Sequence, residues 1–199
     1  MMKNILLIGG NGYIGSSLYY KLIDVGFTVD SVDLCLFGSD LGYSKKINYD
    51  LIDNYSKYDA IILLAAHSSV NMALNNTNAW INNVTYFKRL CEKLSKNQLL
   101  IYASSASVYP KSLNSLDESE LNMCPVNDYD LTKIVGDIIA NKFIMKNYNI
   151  VGLRFGTVNG LSLNTRTDLM LNSMVYSAKK YDKIVIKNPQ IKRSILNID

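Results

Sequence analysis

Short apolar runs alternate along this chain with stretches in which apolar residues return every three or four positions. The runs are ILLI at 5–8, TVDSVD at 28–33, AIILLAA at 60–66, LLIYAS at 99–104 and IVGLR at 150–154. Runs with so little alternation predict strands covered on both faces, as in parallel sheets. Between them Ile14, Leu18, Leu22 and Val25 keep helical spacing, and Gly26 follows as a C-terminal cap. Trp80, Val84, Phe87, Leu90, Cys91 and Leu94 repeat that spacing, as do Ile134, Ile138 and Phe143 with Ile139 beside them. Strand and helix in this order predict an α/β chain, a Rossmann-like doubly wound parallel sheet with helices on both faces. A length of 199 residues predicts one core and a single domain over 1–199.

The first run ends in GGNGYIG, which holds two overlapping glycine spacings: Gly10-x-Gly12-x-x-Gly15 and Gly9-x-x-Gly12-x-x-Gly15. A strand that ends in glycines and turns at once into a helix brings bare backbone close to a pyrophosphate. The helix start, here Tyr13 and Ile14, adds unpaired N–H groups and a partial positive charge. A dinucleotide site is therefore predicted. Asp33 ends the second run 18 positions after Gly15, where a carboxylate binds adenosine ribose hydroxyls and repels the 2′-phosphate of NADP. The predicted cofactor is NAD.

Further along, YDLTK sets Tyr129 and Lys133 four residues apart, on one face of a helix beginning near Asp128. Upstream, YASSASVYP puts Ser104, Ser105 and Ser107 at the carboxyl end of a strand, the edge where open α/β sheets bind ligands. A tyrosine titrating near 10 is a poor base at neutral pH. A nearby ammonium, helped by an oxidised nicotinamide ring, is expected to bring that value down. Tyr129 would then take the proton of a substrate hydroxyl while Ser105 binds the same oxygen.

Together these segments resemble the extended short-chain dehydrogenase/reductase family, the nucleotide-sugar epimerases and dehydratases. The resemblance implies the Gly9, Gly12, Gly15 register. It also implies an Asp50-Leu51 pair flanking the adenine, Ala65 and Ala66 alongside the cofactor, and Asn83 as the family asparagine of INNVTYF. SSASVYP maps the active hydroxyl onto Ser105, with Tyr129 and Lys133 as its partners. LRFGTVNG, with Thr157, turns the chain toward substrate, Ser107 lies on the substrate side, and Arg193 in IKRSILNID stands where many members contact the diphosphate. The implied activity is NAD-dependent epimerisation of a nucleotide sugar through a transient keto-sugar, in a possible homodimer built on the helices around 80–94 and 128–146. Residues 161–199 resemble the start of the substrate-binding lobe, and the chain stops at Asp199 where family members continue. A non-catalytic or truncated NAD-binding module is the alternative.

Some positions depart from the pattern: Pro110 after Val-Tyr, Tyr86 in the Asn-Val helix, Asn197 for histidine, and Gly156-Thr157 for Phe-Asn. Ala106 and Ser107 occupy the places where similar 4,6-dehydratases carry Asp-Glu, so dehydration of that type is not expected.

A net charge of +4 with scattered lysines and only four arginines suits an anionic small molecule and lacks the clustered charge of a nucleic-acid binder. No apolar run approaches the roughly 20 residues of a membrane span, and ILLI meets glycines too early for a signal peptide, so a cytoplasmic protein is expected. Cys35, Cys91 and Cys124 have no metal or disulfide spacing and are expected in the core or at its boundary. His67 reads more simply as a loop histidine than as a proton shuttle. Glu118 and Glu120 read as an exposed acidic loop rather than one folded over substrate.

Overall fold

Each apolar run becomes a strand of one parallel sheet in the computed structural model, which describes residues 3–74, 76–110, 118, 123–186 and 188–199. The strands are β1 (Asn4–Ile8), β2 (Thr28–Asp33), β3 (Ser44–Lys46), β4 (Ala60–Leu63), β5 (Leu99–Ser105) and β6 (Asn149–Phe155), in the order β3-β2-β1-β4-β5-β6. Ile8 lies in register with both Val32 and Leu63, so β1, β2 and β4 end at one edge. The strand order reverses between β1 and β4, and open α/β sheets form their ligand crevice at such a switch.

Helices cover both faces. Leu6, Ile8, Ile61, Leu100, Tyr102 and Ile150 meet Phe87, Leu90 and Cys91 of α4 (Tyr86–Lys93) and Ala140 of α5 (Asp128–Ile144). Ile5, Leu7, Ala60 and Ile62 point the other way, against Leu18, Tyr19 and Leu22 of α1 (Tyr13–Asp24). This alternation is hidden in the sequence because β1 and β4 are apolar on both sides. On β6 the expected double cover fails, since Val151 and Leu153 are exposed.

The helix ends follow local chemistry. Gly26, at φ +94°, donates its N–H to Ile23 O at 2.9 Å while Phe27 N donates to Leu22 O at 3.0 Å, closing α1 in a Schellman turn. Asn127 Oδ1 accepts from Asp130 N at 2.9 Å and starts α5, as the sequence predicts.

Several expected core positions lie outside. Val25 is beyond the last turn of α1 and Ile138 occupies the outer face of α5; both are exposed. Trp80 is exposed because its helix changes pitch one residue later. Short α2 (Val70–Ala73) and α3 (Thr77–Trp80) lead into a π turn at Ile81–Thr85, whose extra residue rotates the preceding apolar positions off the face that α4 buries. The third run pairs only as far as Leu63; Leu64 N and Ala65 N both donate to Ile8 O, at 2.8 and 3.1 Å, bending the chain around the end of β1. Cys91 is buried, Cys35 is half-buried, and Cys124 is exposed, contrary to expectation. Three-residue β3, β7 (Thr157–Asn159) and β8 (Ile195–Asn197) are too short to carry a readable apolar pattern; the helix α6 (Met170–Tyr181) repeats Met170, Met174, Val175 and Ala178 at helical spacing yet buries no residue.

The glycine loop engages both spacings. Gly9 stands at φ +91°, and a Cβ there would lie 2.5 Å from Ala65 N. A Cβ on Gly15 would reach 2.1 Å from Gly9 O, and one on Gly12 would reach 3.2 Å from the same atom. Gly9, Gly12 and Gly15 thus close around one carbonyl. Gly10 is needed separately, because its Cβ would meet Ser31 Oγ at 1.9 Å. Gly15→Ala is expected to destabilise the fold by about 1–3 kcal/mol and Gly12→Ala by less. Denaturant unfolding tests this order, and equal losses would contradict it.

Candidate functional site

The carboxyl ends of β1, β2, β4 and β5 bring together most of the residues singled out in the sequence. Asp33 turns its carboxylate back on the glycine loop: Oδ2 accepts from Asn11 N at 3.0 Å and Oδ1 from Cys35 N at 2.8 Å. Each oxygen keeps a second lone pair. Tyr13 is buried with its side chain tied elsewhere, its hydroxyl donating to Gly160 O at 2.8 Å and accepting from Asn172 Nδ2 at 3.1 Å. At the start of α1 the backbone N–H groups of Tyr13 and Ile14 have no intrahelical acceptor, the first such bond running from Ser16 N to Gly12 O at 2.9 Å. Asp50 and Leu51 share a 3₁₀ turn, Tyr49–Leu51. Asp50 Oδ2 accepts from Arg89 Nη1 at 2.8 Å, whereas Oδ1 is buried with no partner among the described residues; Leu51 is exposed. Ala65 and Ala66 line a cavity of about 30 Å³ together with Asn83, Ala103, Thr132 and Lys133, room for about one water molecule.

Asn83 explains the shape of the loop after β4. It sits in the π turn, accepts from His67 N at 2.9 Å, and donates to His67 O at 3.0 Å and to Thr132 Oγ1 at 3.1 Å. One amide therefore fixes the β4 loop to α5. His67 is buried and burial lowers its pKa from 6.5, so the ring is neutral at neutral pH; Nδ1 lies 3.3 Å from Asn82 Nδ2. This is a packed loop histidine.

Ser105 ends β5, Tyr129 opens α5, and Lys133 lies one turn further on. Ser105 Oγ lies 2.9 Å from Ser107 Oγ and accepts from Ser107 N at 3.2 Å. Lys133 is buried, donates from Nζ to Ala103 O at 2.7 Å, and stands 5.7 Å from the centre of the Tyr129 ring. The expected depression of the phenol is not produced by the chain alone. Burial raises the Tyr129 pKa, while a hydrogen bond with Ser105 and the positive charge of Arg166 pull it down. Burial likewise lowers Lys133 from 10.5 to about 8, partly offset by the charge of Asp137. In this site, desolvation outweighs the hydrogen bond and charges that favour the ionised form of each group.

Three residues here escaped the sequence. Asp137, one turn beyond Lys133, accepts from Tyr102 Oη at 2.8 Å and from Arg154 Nε at 3.0 Å. Arg154 in turn donates to Tyr109 Oη at 2.9 Å and holds the end of the SASVYP segment. Arg166 donates to Ser68 Oγ at 2.8 Å and grips Asp168 through Nε at 3.0 Å and Nη2 at 2.6 Å. Their signals were weak: the carboxylate at four residues after Lys133, and the Arg-x-Asp pair. Thr157 opens β7 with its N–H on Ser194 O at 2.9 Å, and Arg193 is exposed on the segment before β8. Glu118 is exposed and its carbonyl accepts from Arg154 at 3.3 Å; Glu120 lies outside the described residues.

Residues 5–196 match the model of the NAD dependent epimerase/dehydratase family. The chain belongs to that family. It is 31% identical over 175 residues to an ADP-L-glycero-D-manno-heptose-6-epimerase of Brachyspira hyodysenteriae, a match covering 78% of this chain and 55% of the relative. It is 29% identical over 175 residues to a UDP-glucose 4-epimerase of Lactobacillus helveticus, covering 79% and 52%. The chain thus spans about half the length of these curated relatives. Its fold is shared with the UDP-glucuronic acid 4-epimerase of Bacillus cereus, solved with UDP-glucuronic acid and NAD, at a TM-score of 0.85, 21% identity, and coverage of 98% of this chain and 69% of that one. Among the described residues no helix is long and apolar enough to cross a membrane.

The lysine gives a pH test. Between about 8 and 10.5 the unfolded chain binds a proton at Lys133 that the folded chain does not, so stability rises with pH across that window. Relative to Lys133→Met, the parent is expected to gain up to about 3 kcal/mol from the bottom to the top of it. Unfolding in denaturant at each pH measures the difference, and parallel pH dependences would contradict it.

Proposed function

We propose that this family member binds NAD and works as a cytoplasmic isomerase, epimerising a nucleotide sugar through a transient keto-sugar. The observation that carries this reading is the meeting of Ser105, Tyr129 and Lys133 at the strand edge that also holds the glycine loop.

The residues present fit the cofactor. The glycine loop has no room for a Cβ at Gly9 or Gly15, so bare backbone and the N–H groups of Tyr13 and Ile14 face the phosphate position. Gly12 completes the loop. Asp33 retains acceptor capacity for ribose hydroxyls, and the unpartnered Asp50 Oδ1 suits the exocyclic amine of an adenine lying on Leu51. Ala65 and Ala66 leave the opposite wall low. NAD, when bound, supplies the acceptor and donor of the hydride.

The chain's own residues handle the proton. Tyr129 removes the proton from a sugar hydroxyl and returns it, and Ser105 orients that oxygen by a hydrogen bond. Lys133, anchored on Ala103 O, holds a nicotinamide ribose and supplies positive charge near the phenol. Ser107 and Thr157 lie on the sugar side of this proposal and Arg193 on the diphosphate side. Residues 161–199 resemble the start of a substrate-binding lobe, and Leu161, Val175 and Ile186 are exposed on them.

Tyr129→Phe is expected to abolish epimerisation while NAD affinity stays within about threefold, since the ring remains and only the hydroxyl is lost. Assays of the protein with NAD and a panel of UDP-, dTDP- and GDP-sugars decide the matter. Tight NAD binding without product from any sugar would favour the module without turnover.

A homodimer accompanies this reading. On the outer face of α5 and its cap, Leu131, Ile138 and Met145 recur every seven residues and are 38%, 60% and 80% exposed, an apolar stripe along one helix. Ile138→Lys is expected to convert a dimer into a monomer in light scattering. A monomeric parent would overturn the dimer.

A further inference from the structure

The segment after β7 does more than lead toward α6. Asn164 reaches back across 153 residues to the glycine loop, donating from Nδ2 to Asn11 O at 2.6 Å. The same nitrogen donates to Ser39 O at 2.8 Å, and Oδ1 accepts from Ser39 N at 2.8 Å. One side chain therefore joins the glycine loop to the connection between β2 and β3. Room for it exists only because residue 38 is glycine: at φ +80°, a Cβ there would lie 2.6 Å from Asn164 Cγ.

Neighbouring bonds brace the same bridge. Asn11 Nδ2 donates to Asp40 Oδ1 at 3.3 Å, which ties the 34–43 connection to the glycine loop from the other side. Tyr13 Oη holds Gly160 O at 2.8 Å, Asn172 Oδ1 accepts from Gly160 N at 3.1 Å, and Ser16 Oγ lies 3.4 Å from Ser162 Oγ. The segment 160–172 is thus strapped to the start of α1 at one end and to the wall beyond Asp33 at the other.

We propose that Asn164 is a positioning residue that clasps this strap over the dinucleotide site and sets how fast NAD leaves it. The inference rests on the NAD-binding reading above. An epimerase returns to the sugar the hydride it took, so its cofactor has to stay through turnover. A clasp made of one amide on two backbone segments gives that retention without touching the reacting atoms. Opening it breaks three hydrogen bonds at once; with NAD beneath, the cofactor's own contacts would oppose that opening as well, so the clasp weighs on release more than on entry.

The test is displacement of bound NADH from the 199-residue protein, followed by stopped-flow fluorescence, with hydrogen–deuterium exchange on the cofactor-free chain alongside. Asn164→Ala is expected to speed release by about tenfold or more while association changes by less than about twofold and the thermal midpoint stays near that of the parent. Asn164→Asp sets a carboxylate against Asn11 O and Ser39 O and is expected to release at least as fast. Gly38→Ala, which displaces Asn164 without altering it, is expected to speed release likewise, with a lower thermal midpoint because alanine is strained at φ +80°. Exchange at the Ser39 amide rises in all three. Release within twofold of the parent, or equal shifts in association, release and thermal midpoint, would overturn the clasp. A parent that binds no NADH would instead overturn the NAD reading, and with it the retention role, whatever the exchange at Ser39 shows.

Discussion

The carbonyl of Gly9 is the point on which the remaining geometry turns. Gly12 N donates to it at 3.1 Å, and a Cβ on Gly15 would stand 2.1 Å away, so the first turn of α1 closes directly onto the end of β1. That contact fixes the direction in which the helix N–H groups point. It also sets Asn11 where Asp33 can bind its N–H and where Asn164 can reach its carbonyl. Bulk anywhere in this turn would move three elements together, because each meets the same few backbone atoms.

A second constraint is burial of charge. Lys133, Asp137 and Arg154 lie within one belt between β5, β6 and α5, and Tyr102 completes the hydrogen bonding of the carboxylate. Gly152 makes this possible, since a Cβ there would strike the Tyr102 ring at 2.4 Å from its hydroxyl oxygen. A buried ammonium whose pKa is drawn down to about 8 is costly for folding alone. Such costs gather where a group must change charge or hold one close to a reaction. The chain leaves Tyr129 protonated at neutral pH, because burial raises its pKa. If Tyr129 is the base proposed above, the positive charge that activates its phenol has to arrive with a ligand.

Strands and the glycine turn were legible because they depend on local pattern: apolar runs bounded by glycine, and a helix starting at once. The same local cues placed the start of α5 near Asp128 and Tyr129 and Lys133 one turn apart. Periodicity misled where a helix changes its pitch. Trp80 fits an ideal helical face with Val84 and Phe87, yet the π turn at Ile81–Thr85 shifts that face by a residue. Asp137, Arg166 and Asn164 were illegible for another reason. Their roles come from partners 17 to 153 residues away, such as Arg154 for Asp137, Ser68 for Arg166 and Asn11 for Asn164. No spacing within a short window encodes such a contact.

Tyr13 joins these two kinds of information. Its place in the glycine turn is a matter of local sequence, and its backbone N–H belongs to the helix start. Its hydroxyl, however, serves Gly160 and Asn172, both more than 140 residues later in the chain. A phenylalanine there would preserve the turn and the buried ring but leave Gly160 O and the Asn172 amide short of a partner. Buried polar groups left short cost more than the bond itself was worth. The tyrosine thus makes the position of the strap a consequence of where α1 starts, and α1 starts where the Gly9 carbonyl allows. In this chain the segment at 160–172 and the glycine turn are held by the same residue, so neither can move without the other.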